Sequence, residues 1–536
     1  MGVQLGEGYT SELKKALRMS QPQLTQFYKP RKKFQNDTKR SLLETGESDP
    51  VGDTNLELSS LLSRWGLPHT VAEQYREIGV THLFPWQADC LHTDNCLQGG
   101  SLVFSAPSSA GKMLVAEILM MKRVFETGKK ALVVLPYVAL AKETLLRLQS
   151  LLRDTGIKVD GHIGNPPFGE PNDIVVATIE NANSLVNRMM KEKVLLNLTC
   201  VVVDELHELG DSSRGFLLEL LLAKILFSAG PSVQVIKAQS KEVNLKTGFQ
   251  VIGMSALPNI GELSRWLRAS HYTTNFRPVP LTELVKVGDH LYTTQGVEVR
   301  SVKPLLQLPS NLIWLCLETI LQGHSVLVFC PSLSSAENLA VAVSEALLSL
   351  DKPDPNDSDP VRKIRTELKS TRTRLKEVSL SIHFVYSDGV QVCQQLGNPD
   401  DAQGRERWVG VHCHHAGLTF EERDCVERAF KLGVVRVLIA TTTLSSGVNL
   451  PARRVIMTRW MSLYKQMAGR AGRKGIDREG ESILLCEKKE DVDRVNREER
   501  VASCLLFPGA ITGAMKRAIL EVIVYGAAST REDLAR

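Results

Sequence analysis

Leu102-Val103-Phe104-Ser105-Ala106-Pro107-Ser108-Ser109-Ala110-Gly111-Lys112 and, further on, Val201-Val202-Val203-Asp204-Glu205-Leu206-His207 decide the fold. Each is a short apolar run of β-prone residues that breaks into chemistry. In the first, small residues lead to a glycine and a lysine at the start of a helical segment. A loop that opens a helix presents unpaired backbone N–H groups at the positive end of the dipole, which makes an anion site. Gly111 lets the backbone curl close to a phosphate, and Lys112 supplies the cation for the outer phosphates. In the second, Asp204 stands where a strand ends and is placed to reach Mg²⁺, with Glu205 beside it to polarise an attacking water. Alone, the first is a small-residue turn and the second a solvated one. In this order they describe a site for ATP and Mg²⁺.

The same alternation extends outward from these words. Leu102–Phe104, Ala131–Leu135, Ile174–Ala177, Val201–Val203 and Val251–Met254 read as strands, with helical segments such as Leu114–Glu126 and Ala139–Leu152 between several of them. Strands alternating with helices predict a parallel sheet covered on both faces. The pattern resumes after the proline-bearing connector Phe276-Arg277-Pro278-Val279-Pro280, with strands at Ser325–Phe329, Gly410–His412, Arg436–Ala440 and Ser482–Leu485. The expectation is an α/β chain of two tandem parallel-sheet domains, at residues 56–275 and 276–488. Residues 351–401 lack apolar periodicity and read as a mobile insertion in the second domain. Residues 1–55 are polar and charged and read as a disordered tail. Residues 489–536 read as a helical segment that stops partway through a third domain.

The bulk composition agrees with this organisation. A chain of 536 residues exceeds one core. Its 43% hydrophobic and 23% charged content is that of a globular protein, and the net charge of +5 permits a nucleic-acid partner without arguing for one. The 10 cysteines lack paired metal-ligand spacing, and no secretory signal precedes them, which points to a reducing compartment, nucleus or cytosol. Phe216–Phe227, the richest apolar stretch, is interrupted by Glu219 and Lys224 and is too short for a bilayer. It reads as a buried helix, and no membrane partner is expected.

Other positions join the nucleotide site by chemistry. Gln87, after Phe84-Pro85-Trp86, carries a donor and an acceptor on one amide, which suits the adenine edge. Arg470 and Arg473 are three apart, one helical turn, so both can face a γ-phosphate across a cleft, with Gln466 on the same face to orient the water. Met113 breaks the pattern. Ser or Thr is usual after the loop lysine, where its hydroxyl ligates Mg²⁺, and a thioether is a poor ligand for a hard cation. Magnesium is left to Asp204, water and the nucleotide, and weakened turnover is expected.

These residues resemble the superfamily 2 helicases of the Ski2-like group, most nearly its polymerase-theta-type helicases and next the HELQ type. The resemblance runs from about Leu56 to the end of the chain. It is carried by Ser105–Lys112, Asp204-Glu205-Leu206-His207, His414-His415-Ala416-Gly417-Leu418-Thr419, the run from Thr443 to Arg454 and Tyr464-Lys465-Gln466-Met467. It implies two RecA-like domains with ATP in the cleft between them, held by Ala106, Pro107, Ser108, Ser109, Ala110, Gly111, Lys112 and Met113 from one side and Gly447 from the other. It also implies a winged helix beginning near residue 489, DNA-stimulated ATPase activity, 3′-to-5′ translocation and a nuclear role in double-strand break end joining. Single-stranded DNA would lie across the tops of the domains, its backbone meeting Pro136, Tyr137, Ala177, Thr178, Thr441 and Thr442. The chain departs from the family at Met113. It departs again at Ser255-Ala256-Leu257-Pro258, where the family's Ser-Ala-Thr coupling word lacks its threonine, and at the short Thr458–Ser462 stretch. Two rivals follow: a nucleotide- and DNA-binding scaffold with weakened catalysis, and an RNA helicase of the same group.

Two further constellations stand apart. His412-Cys413-His414-His415 invites a zinc reading, but four contiguous residues on a strand end do not converge on one tetrahedral ion. In the tail, Gln21, Leu24, Phe27 and Tyr28 have the spacing of a peptide that docks on the DNA sliding clamp, where a 3₁₀ turn would set the three apolar groups on one side.

Overall fold

The computed structural model describes residues 56–164, 171–211, 214–228, 249–257, 259–302, 310–349, 362, 366, 410–442, 444, 450–459, 464–486 and 513–525. Gln21, Leu24, Phe27, Tyr28 and Gly447 lie outside the described residues, as does the expected insertion apart from Arg362 and Thr366.

Two sheets form. The first is built from β1 (Leu102–Ser105), β2 (Lys130–Leu135), β3 (Val159–His162), β4 (Ile174–Thr178), β5 (Leu198–Val203), β6 (Gln250–Ser255) and β7 (Ser270–Thr273), in the order β3-β4-β2-β5-β6-β1-β7. Every pairing in it is parallel. The period-2 geometry of a strand sorts its side chains between two cores. Phe104, Val133, Val176, Val202 and Met254 face the Lys112–Thr127 and Val138–Leu151 helices. Val103, Val134, Val175, Val201 and Val251 face the Ile179–Lys191 and Gly215–Ser228 helices. Both faces are apolar, so the central strands read as unbroken hydrophobic runs, and sequence finds them easily.

The second sheet adds β8 (Leu281–Val287), β9 (His290–Thr293), β10 (Glu298–Ser301), β11 (Val326–Phe329), β12 (Val411–His414), β13 (Val437–Ala440), β14 (Arg454–Met457) and β15 (Gly480–Cys486). Its order is β10-β9-β8-β15-β14-β11-β13-β12, with β8, β9 and β10 antiparallel and the other pairs parallel. Sequence alternation missed β14 because Arg454 opens it. That guanidinium is buried against Glu481 and Glu318, which satisfies its charge inside the lobe. The edge strands β3, β7 and β10 and the neighbouring β8 and β9 also escaped notice, being short or half polar. The expected buried helix at Phe216–Phe227 is the Gly215–Ser228 helix of the first lobe.

A C-terminal helix, Gly513–Val524, returns to the first lobe. Glu521 meets Lys224 Nζ at 2.9 Å and takes hydrogen bonds from Asn183 and Asn187, each at 3.1 Å. No helix among the described residues is long and apolar enough to cross a membrane.

Candidate nucleotide site between the lobes

Strand order brings three words together that are far apart in sequence. β5, β6 and β1 are neighbours, so their C-terminal ends carry Asp204, Ser255 and the Ser105–Lys112 loop side by side. Ser105 pairs with Ser255, and Ala106 N donates to Ser255 O at 3.2 Å. In an open α/β sheet, this carboxyl end of the strands is where ligands bind.

The loop has the backbone an anion site needs. Ser109 and Gly111 have φ of +67° and +89°, and the Lys112–Thr127 helix begins at once. Lys112 Nζ is drawn over the loop, donating to Ala106 O at 2.9 Å and Pro107 O at 3.4 Å. Ala106 and Ala110 are buried beneath it. Met113 sits in the first helical turn and packs against the apolar core, adding no oxygen to the site.

Gln87 is 2% exposed and spans the loop's base. Its Oε1 accepts from Phe84 N at 2.8 Å and its Nε2 donates to Gly111 O at 2.9 Å. The amide expected to read adenine therefore spends its acceptor and one donor on bracing the phosphate loop.

Asp204 leaves β5 as its carboxyl caps Glu205 N at 2.9 Å, and Glu205 itself adopts a left-handed φ of +50°. Burial, and then the Glu205 charge, pushes the Asp204 carboxyl above the usual range, while Lys112 opposes the shift. Glu205 Oε2 is buried without a hydrogen-bond donor, 3.5 Å from His207 Nδ1. A carboxylate pair beside an ammonium, with an unspent buried oxygen, fits a divalent cation and a water. Asp204 is the residue that would hold Mg²⁺, and Met113 does not fit that role.

His207 is what sequence reasoning quoted without using. Its Nδ1 lies 3.3 Å from Ser255 Oγ, and its Nε2 contacts Gln466 Nε2 of the second lobe. Burial and the nearby Lys112 charge hold its imidazole down at about 4, so it is neutral near pH 7. A neutral ring accepts the Gln466 N–H at Nε2 and offers Nδ1–H toward Ser255 and Glu205. Ser255 Oγ in turn donates to Leu257 O at 3.2 Å and accepts from Leu257 N at 3.0 Å. The coupling word thus closes on itself through serine and backbone, with the Leu257 side chain buried. Position two residues past the acidic pair was the only sequence signal for His207.

The arginines divide. The Tyr464–Ala468 helix ends before Arg470, and Gly472 has a φ of +93°, so the one-helical-turn argument for Arg470 and Arg473 does not hold. Burial holds the Arg470 guanidinium down at about 10, opposed by the charges of Glu205 and Glu143 of the first lobe. Arg473 instead grips Asp477 through Nε and Nη2, both at 2.8 Å, and contacts His324 Nδ1 at 3.2 Å. It is anchored within the second lobe rather than reaching across.

Among the residues expected to meet a nucleic-acid backbone, Ala177 is fully buried in β4, paired on both sides and packed in the core. Thr178 ends that strand and is 5% exposed, and Thr441 follows β13 at 8%. Pro136 O accepts from Arg214 Nη2, and Arg214 also covers the Tyr137 ring, whose hydroxyl donates to Glu208 at 3.1 Å. Thr442 lies beside Thr441 past the end of β13. The histidine run disperses: His414 faces Glu427 at 3.0 Å and His415 faces Glu337 at 3.3 Å.

Two lobes with the phosphate loop and acidic pair on one side and Gln466 and Arg470 on the other have the layout of a helicase motor. The DEAD/DEAH box helicase family matches residues 85–262, and the helicase conserved C-terminal domain matches 381–475. This chain belongs to the Ski2-like superfamily 2 helicases. A helix-turn-helix domain matches 480–536. The chain is similar to DNA polymerase theta of Mus musculus, 46% identical over 520 residues, which is 92% of this chain and 20% of that protein. It is similar to the Helicase POLQ-like protein of Homo sapiens, 34% identical over 456 residues, 80% of this chain and 37% of the relative. ATP-dependent DNA helicase Hel308 of Caldivirga maquilingensis is 31% identical over 438 residues, 78% of this chain and 51% of the relative. The chain thus spans about a fifth of the length of the polymerase theta it matches.

Proposed function

We propose that this chain is an ATP-dependent translocase on single-stranded DNA, acting in the nucleus in repair of double-strand breaks by end joining. The observation that carries the reading is the convergence of Lys112, Asp204 and Glu205 with Gln466 and Arg470 on one cleft, linked across it by His207. Lys112 and the backbone N–H groups of the loop bind and orient the outer phosphates. Asp204 would hold Mg²⁺, which when bound would supply charge neutralisation at the phosphates. Glu205 polarises a water and Gln466 helps to orient it. Arg470 offers its guanidinium to the charge that develops on the γ-phosphoryl oxygens. The similarity to proteins named as DNA helicase and DNA polymerase supports DNA as the substrate. Phosphate release measured with and without single-stranded DNA tests the reading. DNA stimulation that disappears in Lys112→Ala is expected, and turnover indifferent to that substitution overturns it. Stimulation by RNA in place of DNA redirects the assignment to an RNA helicase.

Met113 and Leu257 favour a second reading, in which the site binds nucleotide and DNA while turning over slowly. The phosphate loop lacks its hydroxyl ligand for the cation, and the coupling word lacks its threonine. Nucleotide binding without DNA-stimulated phosphate release is the result that selects it.

A further inference from the structure

We propose that Arg277, in the connector between the lobes, is a positioning residue that fixes the backbone carrying Arg470 and so ties the arginine to the connector. The inference rests on the ATPase reading, in which Arg470 meets the nucleotide.

Arg277 Nη2 donates to Gly469 O at 3.2 Å and to Ala471 O at 3.0 Å, and its Nε donates to Val279 O at 3.4 Å. The two carbonyls flank Arg470 on either side. They belong to a turn just past the end of the Tyr464–Ala468 helix, where carbonyls lose their helical partners. One nitrogen, Nη2, spans both, while Nε of the same guanidinium holds Val279 O, so the group is fixed at two points. The turn has little slack elsewhere. A Cβ on Gly469 would lie 2.7 Å from Ser108 Cβ, so the turn rests directly on the phosphate loop. A Cβ on Gly472 would lie 2.7 Å from Val279 Cγ1, so the connector also packs the turn's far end.

The connector therefore touches the Arg470 turn two ways, through the Arg277 guanidinium and through Val279, and Pro280 O accepts from Gly480 N at 2.7 Å, a residue that itself lies against Ala471. The chain crosses from the first lobe to the second at this connector. Connector and turn move as one body, and the closure of the cleft sets the reach of Arg470. Because misplacement by about an ångström can cost roughly a hundredfold in rate, losing the fork acts on turnover rather than on nucleotide binding, which the loop and Lys112 perform.

The test compares DNA-stimulated ATP turnover of wild type, Arg277→Ala, Arg277→Lys, Arg470→Ala and the Arg277→Ala/Arg470→Ala double variant. Arg277→Ala is expected to lower kcat about tenfold with KM for ATP within roughly twofold. The double variant should be no slower than Arg470→Ala alone, since the fork acts only through that arginine. Arg277→Lys keeps a single multi-donor nitrogen but loses the Nε bond to Val279 O, so it should recover part of the loss. Multiplicative effects in the double variant, a change in KM with kcat intact, or a full-rate Arg277→Ala each overturn the proposal. Turnover that does not depend on Lys112 defeats the ATPase reading instead, and amide hydrogen exchange then decides the role of Arg277. Faster exchange confined to Arg470, Ala471 and Gly472 in Arg277→Ala supports the coupling, and unchanged exchange there ends it.

Discussion

Gln466 of the second lobe and His207 of the first meet through their Nε2 atoms, so the acidic-pair turn and the arginine-bearing turn are joined before any nucleotide is considered. The contact requires His207 to accept a proton's hydrogen bond at Nε2, which only the neutral ring does. Protonation sets two donors against each other at this point.

Stability should therefore depend on pH through His207. Its ring sits at about 4 in the folded chain against an ordinary 6.5, so the unfolded chain binds more protons between these values. The contribution is complete above pH 6.5 and is lost as pH falls toward 4, about 3 kcal/mol in all from 1.36 kcal/mol per unit. Asp204, with its carboxyl raised, acts in the opposite sense over acid pH. Thermal melts of wild type and His207→Asn isolate the term. The difference between them should shrink as pH falls, and a difference independent of pH removes the argument.

Met113→Thr should strengthen the cation site. The hydroxyl supplies the oxygen that the thioether does not, so the Mg²⁺ concentration for half-maximal turnover should fall and kcat rise, by about tenfold. Titration of turnover against Mg²⁺ checks this. No gain would mean that Asp204 serves alone and that Met113 is no impairment.

Gly111→Ala should damage the loop in two ways. The residue has a φ of +89°, and the added Cβ would lie 2.8 Å from Gln87 Nε2. Strain of this kind costs on the order of 1–3 kcal/mol. ATP affinity and melting temperature should both drop. Adding Gln87→Ala relieves the contact but not the φ strain, so recovery should be partial. Full recovery would show that the backbone conformation was unimportant.

Glu521→Ala should destabilise the first lobe, although the residue lies near the other end of the chain. Lys224 is 3% exposed, and Glu521 is its carboxylate partner at 2.9 Å. Removing it leaves a buried charge unpaired, which costs about 3–5 kcal/mol. Lys224→Met with Glu521→Leu should be milder than either single change. Burial alone would raise the Glu521 carboxyl, but donation from Lys224, Asn183, Arg517 and Asn187 overcomes this and holds it at about 2. This stability is present above pH 4.5 and lost as pH falls toward 2. Melts between these limits read it, and an unaltered profile in Glu521→Gln contradicts the clasp.

Sequence alone determined the α/β class, the central strands of the first sheet, several of the second, the phosphate loop and the acidic pair. These are local matters: a strand buried on both faces must be apolar throughout, and a loop that grips phosphate must have small residues before its lysine. Strands β3, β7, β8, β9, β10 and β14 escaped because their faces are half polar, or because a charge such as Arg454 is satisfied by partners distant in the chain. Only the tertiary structure decided which groups cross the cleft. Arg470 and Arg473 are equivalent by spacing, yet a turn at Gly472 and the carboxylate of Asp477 send them to different lobes. Gln87 reads as a free amide until Gly111 and Phe84 are seen to occupy it. His207, Arg277 and Lys224 owe their roles to partners hundreds of residues away, and no local pattern records such pairings because folding, rather than the chain's order, brings them together.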